Sequence, residues 1–291
     1  MGSIEKISVS DFDLKKAVEC GQIFRWDFID RWYYITIGEF ILKARQRGNL
    51  LEYECSKPIG KDFIKNYFTL SSDSGRMRRS IEKDDKIRAA VKSASGLHLI
   101  NQPPFECMIS YIASSASNIP RIKKNMNSIS RSFGKRIALG DYESYSFPKP
   151  SEFLKCKNIE RELRCCGLGF RSKFYPDIIN VICSVSGSGN PDLEFEKFFS
   201  RLKKMKYENA KSELVRLPGI GSKIADCILL FSLGFTEAFP TDVWIRRAVQ
   251  EMYFPNENIT SKKAEEFGRE YFGRYAGYAQ ECIYYWRRLI K

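Results

Sequence analysis

A chain of 291 residues exceeds the usual size of one hydrophobic core, and 43% apolar content is enough to bury a sizeable interior in a small number of subdomains. Its 48 Lys and Arg against 35 Asp and Glu leave a net charge of +13, the balance of a protein that meets phosphate backbones or an anionic surface. The single histidine excludes chemistry that needs two, and nine cysteines without paired metal-ligand spacing read as reduced intracellular thiols.

No apolar run reaches the roughly 18 residues of a membrane span, and the N-terminal segment carries Glu5, Asp11 and Asp13 where a signal or transit peptide would not. The expected location is therefore intracellular, and abundant Lys, Ile and Asn point to an AT-rich genome and a bacterial cytoplasm. From Gln22 to Cys55 the segments QIFRWDFI, RWYYITI, EFILKAR and LLEYEC are rich in aromatic and β-branched residues. Asp30-Arg31, Gly38 and Arg47-Gly48-Asn49 separate them, which predicts an antiparallel meander. Helical windows follow at Asp62 to Leu70, Ile81 to Lys92 and Phe105 to Ile112, and the rest of the chain reads as helical. His98, in the apolar run GLHLI, reads as structural. The segment at residues 95–104 is the most plausible boundary, giving a β-rich domain over 1–100 and a helical region over 101–291. Gly167 reads as a helix C-cap and residues 186–192 as a loop between helices. The basic clusters at 76–83 and 287–291 read as solvated faces.

The chemistry concentrates in LPGIGSKIADC and PTDVW. A helix ends at Arg216, Pro218 stops it, Gly219 and Gly221 permit a tight turn, and a second helix opens at Ser222, so a helix-hairpin-helix lies near 207–233. Uncovered amides beside a helix N-terminus suit a nucleic-acid phosphate, although a plain connecting turn has the same sequence. Lys223 falls in the first turn, where the helix dipole disfavours a cation and so favours the neutral, nucleophilic amine. Nineteen residues on, Asp242 follows Pro240 and is placed to cap the next helix, with a catalytic role open beside it.

These features resemble the helix-hairpin-helix DNA glycosylases, in which the lysine corresponding to Lys223 attacks C1′ and the aspartate corresponding to Asp242 supports the oxocarbenium ion. The iron-sulfur branch carries four closely spaced cysteines after that aspartate, whereas only Cys282 follows it here, and the alkylation-repair branch lacks the lysine. CGQIFRW (20–26), SSASNIPRI (114–122), GLGFRSKF (167–174), KIADC (223–227) and YAGYAQ (275–280) resemble blocks of the eukaryotic-type 8-oxoguanine DNA glycosylase/AP lyases, a likeness spanning Gly21 to Arg288.

The resemblance implies an α+β fold with an N-terminal antiparallel sheet followed by helical domains. It also implies excision of 8-oxoguanine from duplex DNA by base flipping, with strand cleavage through a lysine Schiff base, by a monomer without cofactor or catalytic metal. Independently of the family, Lys223 and Cys227 share one helix face, as do Gln280 and Tyr284, and two such faces could sandwich a planar base. By resemblance, Cys227 and Tyr284 stack on the flipped base, Gln280 reads its Watson–Crick edge and Phe231 lines the pocket. The carbonyl of Gly21 separates the N7–H donor of the lesion from the N7 acceptor of guanine. Asn118, Arg121 and Arg171 fall near the vacated space, with Phe170 as a wedge and Trp244 near a phosphate. Ala116 and Ser117 stand where well-known members have asparagine, Tyr284 where they have Phe and Trp244 where they have His. A glycosylase for an alkylated purine and a non-catalytic hairpin DNA-binding module are the competing readings.

Overall fold

The computed structural model describes residues 4–184 and 189–290, so positions 186–188 of the expected loop and Lys291 of the C-terminal basic cluster lie outside the described residues. The aromatic N-terminal run forms β2 (Trp26–Ile29), β3 (Trp32–Ile37), β4 (Phe40–Arg47) and β5 (Leu50–Cys55), with β1 (Glu5–Ser8) paired to β5. The order is β1-β5-β4-β3-β2, every pairing antiparallel. Asp30 and Arg31 both adopt positive φ in the β2–β3 turn, which gives a two-residue connection the twist its strands require. Alternation puts Tyr33, Ile35, Ile37, Leu42, Ala44, Leu51 and Tyr53 on one buried face. The helices Leu14–Glu19 and Lys61–Tyr67 close over that face with Leu14, Val18 and Ile64.

Two elements depart from the sequence reading. The strand Glu5–Ser8 precedes the expected meander, and a hairpin, β6 (Arg136–Leu139) and β7 (Tyr142–Tyr145), interrupts the helical part. Each of these strands is only four residues long, too short for a period-two signal, although Gly140-Asp141 marks the second turn. The β6–β7 hairpin returns to the sheet: Tyr142 stacks on Tyr34 at 4.3 Å and bonds Asp27 at 2.7 Å. The helix expected over 81–92 is also split. Asp84 caps Asp85–Ser93 by accepting from Ile87 N, and a separate helix, Ser74–Ile81, carries the basic cluster.

The second core is helical and interleaves with the first along the chain, since Met77, Ile87, Val91 and Leu97 pack in it together with residues as distant as Ile283. Gly167 follows the helix Ile159–Cys165 at φ +85, the conformation expected just past a helix end. His98 is buried, with its two ring nitrogens against the carbonyls of Phe68 and Asp11, and burial holds its pKa below the usual imidazole range. Its role is structural.

The sheet is tied to the helical part by a buried ion pair. Arg25, preceding β2, reaches Glu106 on the helix Pro104–Ala113 at 3.2 Å and donates to Tyr145 O. The second oxygen of Glu106 accepts from Gly38 N at 2.8 Å. Removing one member of such a pair leaves an uncompensated buried charge. Arg25→Leu is therefore expected to lower unfolding stability by about 3 kcal/mol, read from the urea midpoint, and an unchanged midpoint would show that the pair does not hold the two parts together.

Candidate active-site cleft

The hairpin is built as its sequence implies. Helix Tyr207–Val215 ends at Arg216, and Leu217 and Ile220 bury their side chains on either side of the turn. Gly219 has φ +77, and a Cβ there would lie 2.4 Å from the ring of Phe174, so no other residue fits. Gly221 is the N-cap of Ser222–Ile228 and has open space beside it, which leaves the hairpin amides uncovered on that side. The second helix continues into a π-helical turn, Leu229–Leu233, that carries Phe231 inward.

Lys223, in the first turn, turns inward. Its Nζ lies 3.4 Å from Ser114 Oγ and 5.3 Å from the ring centre of Tyr111, which in turn stacks on Phe231. One turn on, outside the cleft lining, Asp226 is 0% exposed. It accepts from Tyr207 OH at 2.5 Å and Lys211 Nζ at 2.9 Å, while Lys211 also contacts Glu265, whose other oxygen accepts from Ser222 Oγ. Burial pushes the Asp226 carboxyl up to about 6 even against the attraction of Lys211. This network anchors the helix through residues that lie outside the cleft lining.

Asp242 caps Val243–Tyr253 by accepting from Ile245 N at 2.8 Å. The helix Ala276–Tyr285 supplies Gln280, Glu281 and Tyr284, the last bonded to Arg288. All of these meet in one cleft of about 290 Å³. It brings together Lys223, Asp242, Gly21, Cys227, Phe231, Gln280, Tyr284, Asn118 and Trp244, which the sequence spreads over more than half the chain. Gly21 sits on the wall at φ +105, where a Cβ would lie 2.8 Å from Ile119 Cδ1.

The remaining predicted residues lie outside the cleft lining. Phe170 is 55% exposed on the short Gly169–Lys173 turn. Arg171 is 3% exposed, and its guanidinium is taken up by the carbonyls of Ser115, Ala116 and Leu168. It shapes the loop before Asn118, where Ala116 is held at positive φ. Arg121 is exposed one turn past Asn118, which caps that helix by accepting from the Arg121 amide.

A family model described as 8-oxoguanine DNA glycosylase, N-terminal domain, matches residues 5–108. A probable N-glycosylase/DNA lyase of Methanothermobacter thermautotrophicus is 27% identical over 96% of this chain and 94% of that protein, and an N-glycosylase/DNA lyase of Arabidopsis thaliana is 29% identical over 96% of this chain and 78% of that one. The Clostridium acetobutylicum 8-oxoguanine glycosylase/lyase, solved with duplex DNA containing cytosine opposite 8-oxoG, superposes with a TM-score of 0.86 at 29% identity, covering 99% of this chain and 98% of that one. The N-terminal third of the chain thus matches the 8-oxoguanine DNA glycosylase model, and nearly the whole chain is similar to N-glycosylase/DNA lyases.

Besides Phe24, Ile119, Ile122 and Arg288, three residues of this cleft escaped the sequence reading. Tyr111 and Ser114 lie at the end of an apolar helix that reads as plain core. Glu281 is the third, and a carboxylate inside the otherwise uncharged YAGYAQECIYYW was the signal available. It is 4% exposed, and burial, reinforced by Asp242 and opposed by Lys223, pushes its carboxyl up to about 8. Burial likewise pushes the Cys227 thiol up to about 12, so it meets a ligand as a neutral, polarisable group.

Because the folded carboxyl of Glu281 binds its proton more tightly than the unfolded one, its contribution is fully present below the unfolded value of 4.5 and is lost as pH rises through about 8. Glu281→Gln has no proton to lose. Its urea midpoint relative to wild type should therefore be higher at pH 8 than at pH 5, and a difference independent of pH would contradict the burial assigned to this group.

Proposed function

We propose that this protein excises 8-oxoguanine from duplex DNA and then cuts the strand through a lysine Schiff base. The observation that carries the reading is the convergence of Lys223 and Asp242 on a cleft whose other walls are an amide, a thiol and aromatic rings, a set suited to a planar heterocycle.

In this reading the duplex lies across the hairpin, with the exposed amides beside Gly219 and Gly221 toward one phosphate, and the damaged nucleotide is turned out into the cleft. Cys227 and Tyr284 face the base, Gln280 addresses its Watson–Crick edge and the Gly21 carbonyl accepts from N7–H, a donor that guanine lacks. That carbonyl would face a lone pair in guanine, and the repulsion is the basis of discrimination. Phe170, Asn118 and Arg121 face the space the base leaves. Trp244, 49% exposed at the start of its helix, offers an indole N–H and a ring face beside the sugar-phosphate chain. The Asp242 carboxylate stabilises positive charge on the sugar as the glycosidic bond lengthens, while the Lys223 amine forms the bond to C1′. Opening of the sugar gives the Schiff base, and loss of a proton from C2′ expels the 3′ phosphate. Similarity to 8-oxoguanine glycosylase/lyases favours this reading over the alkylated purine, and the inward lysine favours it over a binding module. We also place the protein in a bacterial cytoplasm, supported by composition alone; no helix among the described residues is long and apolar enough to cross a membrane.

Borohydride reduction during reaction with an 8-oxoguanine duplex should give a covalent complex with the wild type. Lys223→Gln should lose trapping and at least about 1000-fold of strand cleavage while retaining duplex binding. A variant that still cross-links at the wild-type yield would remove Lys223 from the role of nucleophile.

A further inference from the structure

Gln280 and Glu281 are consecutive on one helix, and both present a buried oxygen that has no hydrogen-bond partner among the described residues, Gln280 Oε1 and Glu281 Oε2. Native proteins rarely leave such atoms unsatisfied, and when the atoms line a ligand cleft the absent partner is the ligand. Gln280 is accounted for by reading the base. A second, ionisable group beside it is not required for reading. Glu281 borders the same cleft as Lys223 and Asp242, and these two are the charged groups whose fields act on it. The other titratable groups around it are the Cys227 thiol on the lysine helix, the Tyr111 hydroxyl, the Cys20 thiol, and Cys282 and Tyr284 on its own helix. Burial pushes the thiols of Cys20, Cys227 and Cys282 and the hydroxyls of Tyr111 and Tyr284 above their ordinary values, so none of these groups places a negative charge beside Glu281 at neutral pH.

The site thus holds two carboxyl groups in different settings. Asp242 is partly open and accepts a backbone N–H at a helix start, whereas Glu281 is enclosed and unbonded. Glycoside cleavage uses such a division, one carboxylate supporting the sugar cation and one carboxylic acid giving its proton to the departing group. We propose that Glu281 is the general acid of base excision, protonating the departing 8-oxoguanine from the base side of the cleft. The inference rests on the excision proposed above.

The electrons and protons balance. With Lys223 as the free amine, its lone pair forms the N–C1′ bond as the C1′–N9 pair passes to the base. The Glu281 O–H bond breaks and its proton goes to a ring nitrogen of that base, which leaves neutral. The carboxylate that remains takes a proton from the newly cationic Lys223–C1′ adduct and is restored. The elevated carboxyl, about 8, keeps the acid form populated at neutral pH.

The test compares wild type and Glu281→Gln, as full chains, on two duplexes: one with 8-oxoguanine opposite cytosine and one with a preformed abasic site, which has no base to expel. The variant should release 8-oxoguanine at least about 100-fold more slowly. The fall in wild-type kcat/KM above about pH 8 should be absent from it. Cleavage of the abasic duplex should change by less than about a tenth of that factor, which also shows that the variant is folded. Equal loss on both duplexes, or a variant that keeps the alkaline fall, overturns the acid role. A wild type that cuts the abasic duplex but releases no 8-oxoguanine contradicts the excision itself, and the acid role falls with it.

Discussion

The side-chain amide of Gln22 is the joint at which the two cores meet. Its Oε1 accepts from Ile100 N at 2.7 Å and its Nε2 donates to His98 O at 3.0 Å. Its own carbonyl accepts from Gln102 Nε2 and Tyr111 OH. Gln102 N in turn donates to Phe231 O at 2.7 Å. Each of these groups is buried, so each would cost about 1–3 kcal/mol if left unpaired, and only one relative placement of sheet and helices satisfies them together. That placement puts Gly21 on the cleft wall, Tyr111 under Lys223 and Phe231 behind Tyr111. Four residues of the motif CGQIFRW are thereby accounted for: Gly21 faces the cleft, Gln22 joins the cores, Phe24 packs edge-on to Tyr111, and Arg25 pairs with Glu106.

The hairpin solves a related problem. A helix of seven residues does not hold its own orientation, yet it carries Lys223 into the cleft. Fixation comes from outside: Gly219 pressed against Phe174 on one side, and Asp226 with Lys211, Tyr207 and Glu265 on the other. The charges that stabilise the helix thus lie outside the cleft lining. In the cleft, burial raises the carboxyl of Glu281 and the thiol of Cys227.

Much of this was legible from local signals. Pro218, Gly219 and Gly221 specify the hairpin because they act through backbone geometry within five residues, and Asp242 is readable as a cap for the same reason. The convergence of Gly21, Gln280 and Tyr284 was readable only through the family resemblance, since no spacing rule connects positions that far apart. What escaped has a physical cause as well. The β6–β7 hairpin is too short for periodicity and exists because it packs on the sheet through Tyr34 and Asp27. Arg171 reads as a free cation in sequence, but its guanidinium satisfies loop carbonyls, a use that only tertiary structure reveals. Tyr111 lies in a helix whose composition is that of core, and its hydroxyl is consumed by Gln22 while its ring faces the lysine.

The central claim is that one cleft, shaped jointly by the sheet-domain segment at Gly21 and the helix at Gln280, selects an oxidised purine by its N7 proton. The most direct measurement is the identity of the base released by the wild-type chain from duplexes that carry 8-oxoguanine, 7-methylguanine or guanine at the same position. Release of 8-oxoguanine with no detectable 7-methylguanine or guanine is the predicted result. Release of 7-methylguanine while 8-oxoguanine stays in the strand would contradict the account.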